Sequence, residues 1–154
     1  MPYQPRGKYF EELNVGDEIF TAGRTITESD IVQFANLTGD TNPMHTDAEF
    51  CKTTLFGERI AHGLLGLSYT LGLLWPLGFM EGTVLAFMGL EAKFKAPIKI
   101  GDTIRATSKI KQKKEMKAMG GGIVVLETRL YNQRDEVTQQ ADLTVLIKSR
   151  EASA

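Results

Sequence analysis

The stretch Gly63–Leu74 constrains this chain more than any other, because nearly every position over 64–75 is apolar or small. A helix of that composition has to be covered on most of its sides. It is too short to span a bilayer and runs directly into Pro76, so it reads as a buried helix. A sheet usually wraps such a helix, and the second half of the chain supplies the material for one. Segments 83–95, 103–112, 123–131 and 137–147 are strand-like and separated by turns. Ile104, Ala106, Ser108 and Ile110 alternate with polar partners. Pro97 and Gly101-Asp102 mark one turn and Gly120-Gly121-Gly122 another, which predicts consecutive antiparallel strands joined by hairpins. An early strand over 18–25 completes the sheet. The expected class is α+β, one antiparallel sheet with a central helix on its concave face.

Before that helix, Thr27 and Asp30 match a capping box, and Ile31, Phe34 and Ala35 share one face of a short helix running through Leu37. Gly39 ends it. The polar stretch 40–46 contains Asn42-Pro43, a turn signal, and reads as a loop of fixed geometry. Asp47 caps a second short helix to about Thr54, and 57–59 turns the chain into Ile60 and Ala61. At 154 residues, 42% of them apolar, without repeats or linkers, the chain reads as one domain over 1–154.

Charge excludes several functions. With 18 basic against 19 acidic side chains and no basic block, no nucleic-acid or membrane surface is implied. Lys111, Lys113 and Lys114 read as a solvated strand edge. One cysteine, Cys51, forms no internal disulfide and has no second thiol beside it for a structural zinc; it reads as a small buried residue in a reducing, cytoplasmic setting. Residues 1–9 lack the apolar core of a secretory signal. Phe10, Phe20, Phe34 and Trp75 are expected in the core.

Only two histidines occur, His45 and His62, and both fall in the loop-rich segment before the buried helix. Asp40 and His45 are five apart, and a bent loop can bring a carboxylate and an imidazole onto one water, one as base and the other as acid. Asn42 and Pro43 hold the turn. At Ile60-Ala61-His62-Gly63 the first N–H groups of the helix have no helical acceptor, and glycine at 63 lets a carbonyl approach the backbone. Such an oxyanion site acidifies the carbon next to the carbonyl without a metal. Each feature has a plainer reading: Asp40 as a turn residue, Gly39 as a helix stop, His62 as a satisfied buried histidine. Asp40, His45, Asp47 and His62 as metal ligands rank lower, since no HxxxH helix or cysteine pair accompanies them.

The run Phe34-Ala35-x-x-Thr38-Gly39-Asp40-x-Asn42-Pro43-x-His45-x-Asp47, followed by Phe56-Gly57-x-x-Ile60-Ala61-His62-Gly63, resembles the hydratase motif of MaoC-like proteins. Gly16-Asp17 and the stretch 94–103 extend the resemblance to nearly the whole chain. It implies a hotdog fold, a sheet around a long central helix, with two subunits forming the working unit and higher assemblies open. It also implies the activity of (R)-specific enoyl-CoA hydratases: reversible hydration of a trans-2-enoyl thioester, on CoA or an acyl carrier protein, with no cofactor. By the same resemblance Asp40 and His45 are catalytic, the Gly63 N–H is the oxyanion donor, and Asn42, His62 and Ser68 support the site. Cys51, where alanine is frequent, and Leu64, where methionine is often seen, depart mildly from the pattern. A hotdog thioesterase and a non-catalytic acyl-CoA-binding subunit are the alternatives. Leu73, Leu74, Trp75 and Phe79 suggest an apolar pocket for the acyl tail.

Overall fold

The computed structural model describes residues 3–150. Met1 and Pro2, the start of the segment read for a leader, lie outside the described residues, as do 151–154. In chain order the elements are β1 (Glu18–Phe20), β2 (Arg24–Thr25), α1 (Glu28–Thr38), α2 (Pro43–Thr46), α3 (Ala48–Cys51), α4 (Gly63–Leu74), β3 (Val84–Phe94), β4 (Thr103–Met116), β5 (Gly121–Tyr131) and β6 (Val137–Lys148). The strands form one antiparallel sheet in the order β1-β4-β5-β6-β3, with β2 also pairing to β4.

The alternation of Ile104, Ala106, Ser108 and Ile110 sends all four inward, each at most 2% exposed, as a period of two requires. Val124, Leu126, Thr128 and Leu130 do the same from β5. Against this face lies α4: Leu67 and Leu74 pack with Ile110, Val124, Leu126, Leu143, Val145 and Ile147. Leu65 joins Ile31 of α1 with Ile26, Ile98, Ile104 and Leu130 in a second cluster. Each buried leucine stabilises the fold by roughly 1.5–3 kcal/mol, so the helix is held along its whole length. The sheet around a central helix is the hotdog arrangement, and no helix among the described residues is long and apolar enough to cross a membrane.

Three expectations change. β3 and β4 are not a hairpin: β3 pairs with β6, Leu90 opposite Leu143, and the Pro97 to Gly101 connection crosses to the other side of the sheet. That connection closes over the start of α4, where Ile98 is buried and its carbonyl accepts the Ala61 N–H at 2.8 Å. The early strand splits after Phe20, since the Thr21 hydroxyl rather than a main-chain oxygen accepts the Ala106 N–H. Phe20 and Trp75 are 64% and 61% exposed, whereas Phe10 and Phe34 pack against the core. Lys111 meets Asp142 at 2.6 Å and Lys113 lies over the Phe10 ring, on the stretch of β4 beyond β1.

Candidate active site

The capping box is present, with Thr27 N–H donating to Asp30 at 2.7 Å and Asp30 N–H to Thr27 Oγ1 at 3.3 Å. It starts α1, and Gly39 ends it in the left-handed region at φ 77°, where a Cβ is unfavourable. Asp30 also accepts from Tyr69 of α4 and from Arg24 of β2. Burial opposes its ionisation, but the hydrogen bonds from Tyr69, Thr27 and Arg24 outweigh it and lower its pKa to about 2. This network ties α1 to α4 and so fixes the two ends of the segment between them.

The stretch 40–46 is not all loop. Asn42 Oδ1 accepts the Met44 N–H at 3.2 Å and Pro43 occupies the first helical position, so one helical turn, α2, forms. His45 rides on that turn and is 7% exposed. Asp40 precedes it, exposed, with its Oδ1 taking the Asn42 N–H at 3.3 Å. Asp40 is therefore a turn residue whose side chain is still exposed. Asp47 caps α3 by accepting the Phe50 N–H, and buried Cys51 points its thiol at the Pro43 and Met44 carbonyls.

The tautomers follow from the partners. His45 Nδ1 is 2.8 Å from the Ile60 carbonyl; a carbonyl only accepts, so Nδ1 carries the hydrogen and Nε2 is bare. His62 Nε2 donates to the Asp40 main-chain carbonyl at 2.9 Å, and its buried Nδ1 has no partner among the described residues. The two rings stack with centroids 3.8 Å apart and planes at 27°, with Phe34 on His62 at 5.0 Å. Burial lowers the His45 pKa, as does the neighbouring His62; the Ile60 bond and the Asp40 charge oppose the shift. His45 is therefore neutral near pH 7, with a lone pair ready for a proton.

Asp40, His45 and His62 place their side-chain donor atoms within 4.8 Å of one another.

Gly63 opens α4, and no acceptor for its N–H is found among the described residues. A cavity of about 540 Å³ borders it, walled by His45, Phe56, Ile60, Leu64, Phe94 and Ile98 among others. A Cβ at 63 would lie 2.7 Å from the Phe94 ring, so glycine lets that ring rest against the helix start as well as leaving the backbone open. The acyl-tail residues are placed differently from expectation. Leu74 is in the core at 1% exposure, Leu73 and Phe79 pack against the core clusters, Trp75 faces outward, and none of the four borders this cavity. Ser68 is exposed and its hydroxyl donates to the Leu64 carbonyl one turn back on α4. Two contributions to the site were missed from the sequence: the main-chain carbonyl of Ile60, a motif residue, which sets the His45 tautomer, and Gln139, which carried no signal and whose amide bonds the Gly63 carbonyl at 2.9 Å.

The sequence profile of the MaoC like domain matches residues 12–130. The chain belongs to the MaoC-like family. This MaoC-like chain is 41% identical over 99 residues to an (R)-specific enoyl-CoA hydratase of Rhodospirillum rubrum, covering 64% of this chain and 67% of that protein. It is 32% identical over 123 residues to an (R)-specific enoyl-CoA hydratase of Aeromonas caviae, covering 80% and 87%. Other relatives are longer, the matched stretch spanning 32% of one and 59% of another. Among solved structures, one described as a monoamine oxidase regulatory protein of Archaeoglobus superposes with a TM-score of 0.88 at 39% identity, over 93% of this chain and 95% of that one.

Proposed function

We propose that this chain is a hydro-lyase that reversibly hydrates a trans-2-enoyl thioester, CoA-linked or carrier-linked, to the (R)-3-hydroxyacyl thioester. One observation carries the reading: a neutral His45 with a bare Nε2 borders the same apolar cavity as the unengaged Gly63 N–H, with the Asp40 carboxylate beside it. The thioester carbonyl sits on the Gly63 N–H, where the dipole of α4 adds favourable potential. Asp40 and His45 hold a water over the double bond. His45 Nε2 takes a proton as the water oxygen attacks C3, and the imidazolium returns a proton to C2, so the elements of one water are added. Asp40 orients that water and balances the transient positive charge. Addition is redox-neutral, and the protein supplies both acid and base, so the reaction calls for no cofactor. Asn42 holds the turn, and His62 supports Asp40 through its main chain. The hydratase names of the two bacterial relatives support the same chemistry.

The working unit in this proposal is a homodimer in a cytoplasmic setting, each chain a single domain. β3 is an edge strand eleven residues long that exposes Leu85, Phe87, Met88 and Leu90. A long apolar edge of that kind is a hazard unless another strand covers it. β3 ends at Phe94, on the wall of the cavity, so a second copy along β3 also encloses the substrate site.

The test is an enoyl-CoA turnover assay following both the enone absorbance and free thiol. Hydration consumes the absorbance without thiol and yields a single C3 configuration; release of one thiol per substrate contradicts the proposal and indicates a thioesterase.

A further inference from the structure

β6 carries a buried amide with one half unused. Gln139 is 3% exposed; its Nε2 donates to the Gly63 carbonyl at 2.9 Å, and its buried Oε1 has no partner among the described residues. It stands opposite Phe94 in the pairing of β3 with β6, and both side chains meet the first turn of α4. The helix is shaped around them. A Cβ at Gly63 would lie 2.7 Å from the Phe94 ring, and one at Gly66 would lie 2.4 Å from Gln139 Nε2. Glycines thus occupy both places where the sheet presses on this turn.

Glycine at 63 leaves the backbone open to a ligand, but it is also the residue with the most conformational freedom. A donor meant to meet developing charge has to be held before the reaction begins. On its N-terminal side Gly63 is fixed by His62, whose ring bonds Asp40 and whose carbonyl accepts from Leu65 at 3.1 Å. On its C-terminal side the hold from the sheet is Gln139. A buried amide with an orphaned oxygen carries a cost that an apolar side chain of the same size would not. We propose that Gln139 is a positioning residue: it clamps the Gly63 carbonyl so that the N–H of the same residue stays aimed into the cavity. Its effect on turnover rests on the hydratase reading; the clamp itself does not.

The test uses Gln139→Leu and Gln139→Met in the full chain. The expected result is a fall in kcat for short enoyl-CoA hydration of roughly 10- to 100-fold with KM within about threefold. The melting temperature should hold or rise, and the Gly63 amide, followed by NMR in protein isotope-labelled on glycine, should shift and relax as a more mobile N–H than in wild type. Unchanged kcat with an unchanged Gly63 resonance and relaxation overturns the proposal. So does a drop in melting temperature with kcat intact, or failure of both variants to fold, since each describes a purely structural residue. If wild type hydrates nothing, the hydratase reading falls and Gly63 amide relaxation alone decides the clamp.

Discussion

Gly63 offers a pair of substitutions that separates crowding from loss of the donor. An alanine Cβ would lie 2.7, 3.0 and 3.2 Å from three atoms of the Phe94 ring, an overlap of about 0.8 Å at the closest against an ordinary carbon contact of ~3.5 Å. Phe94 is 55% exposed and free to turn aside, at a cost of roughly 0.5–1.5 kcal/mol. Replacing glycine by alanine in a helix returns up to about 1 kcal/mol. The two nearly cancel, so Gly63→Ala should move the melting temperature by less than about 4 °C while crowding the cavity mouth. Gly63→Pro adds the loss of the N–H. The backbone accepts it: His62 lies at φ −58°, ψ 138°, as a residue before proline prefers, and proline suits the first helical position. If the N–H stabilises developing charge, the proline variant should fall a further ~100- to 1000-fold below the alanine variant in kcat. Circular dichroism melts and enoyl-CoA turnover on both proteins supply the comparison. Equal turnover in two folded variants would refute the oxyanion role of Gly63.

The lowered His45 pKa predicts a hydration rate flat through neutral pH that falls only below the usual imidazole value of 6.5; an acid limb centred above 6.5 contradicts it. The same shift makes stability fully present above 6.5 and progressively lost as pH falls from 6.5 toward the lowered value, because the unfolded chain takes up a proton the folded one resists; urea titrations at mildly acidic pH read this. Asp30, with its pKa lowered from 3.8 to about 2, contributes about 2 kcal/mol above pH 3.8, lost as pH falls from there to about 2, and Asp30→Asn should cost that amount in urea unfolding at neutral pH. The homodimer proposed along β3 predicts that Phe87→Glu and Leu90→Glu, on its exposed edge, are monomers by light scattering where wild type is a dimer; a dimer that persists in both, or a monomeric wild type, contradicts that interface.

Where an element's form is dictated by its own residues, the sequence was enough. The apolar run of α4, the period of two in β4, the Thr27/Asp30 box and the Gly39 stop all appear at or within a residue of expectation, because each is a local rule. Strand pairing is not local. Nothing between 95 and 102 states that the chain crosses the sheet, and a Pro and Gly-Asp turn looks the same in a hairpin as in a crossover. Likewise Phe20 and Trp75 look like core residues until the sheet order shows which faces are covered. At the proposed site, Asp40, His45 and Gly63 stand in one two-part motif, and that the fold brings them close together was readable. Their tuning was not, since the Ile60 carbonyl and the Gln139 amide reach them across folds of the chain that composition does not record.

Asp40→Asn and His45→Gln, compared with wild type in the turnover assay, address the proposed chemistry at its source. Neither residue belongs to the apolar core clusters, so the variants should fold and bind thioester. Wild type should consume the enone absorbance without releasing thiol, and each variant should lose hydration by orders of magnitude. Near-normal turnover in either folded variant would contradict the assignment of His45 as the group that carries the proton and Asp40 as the group that holds the water for it.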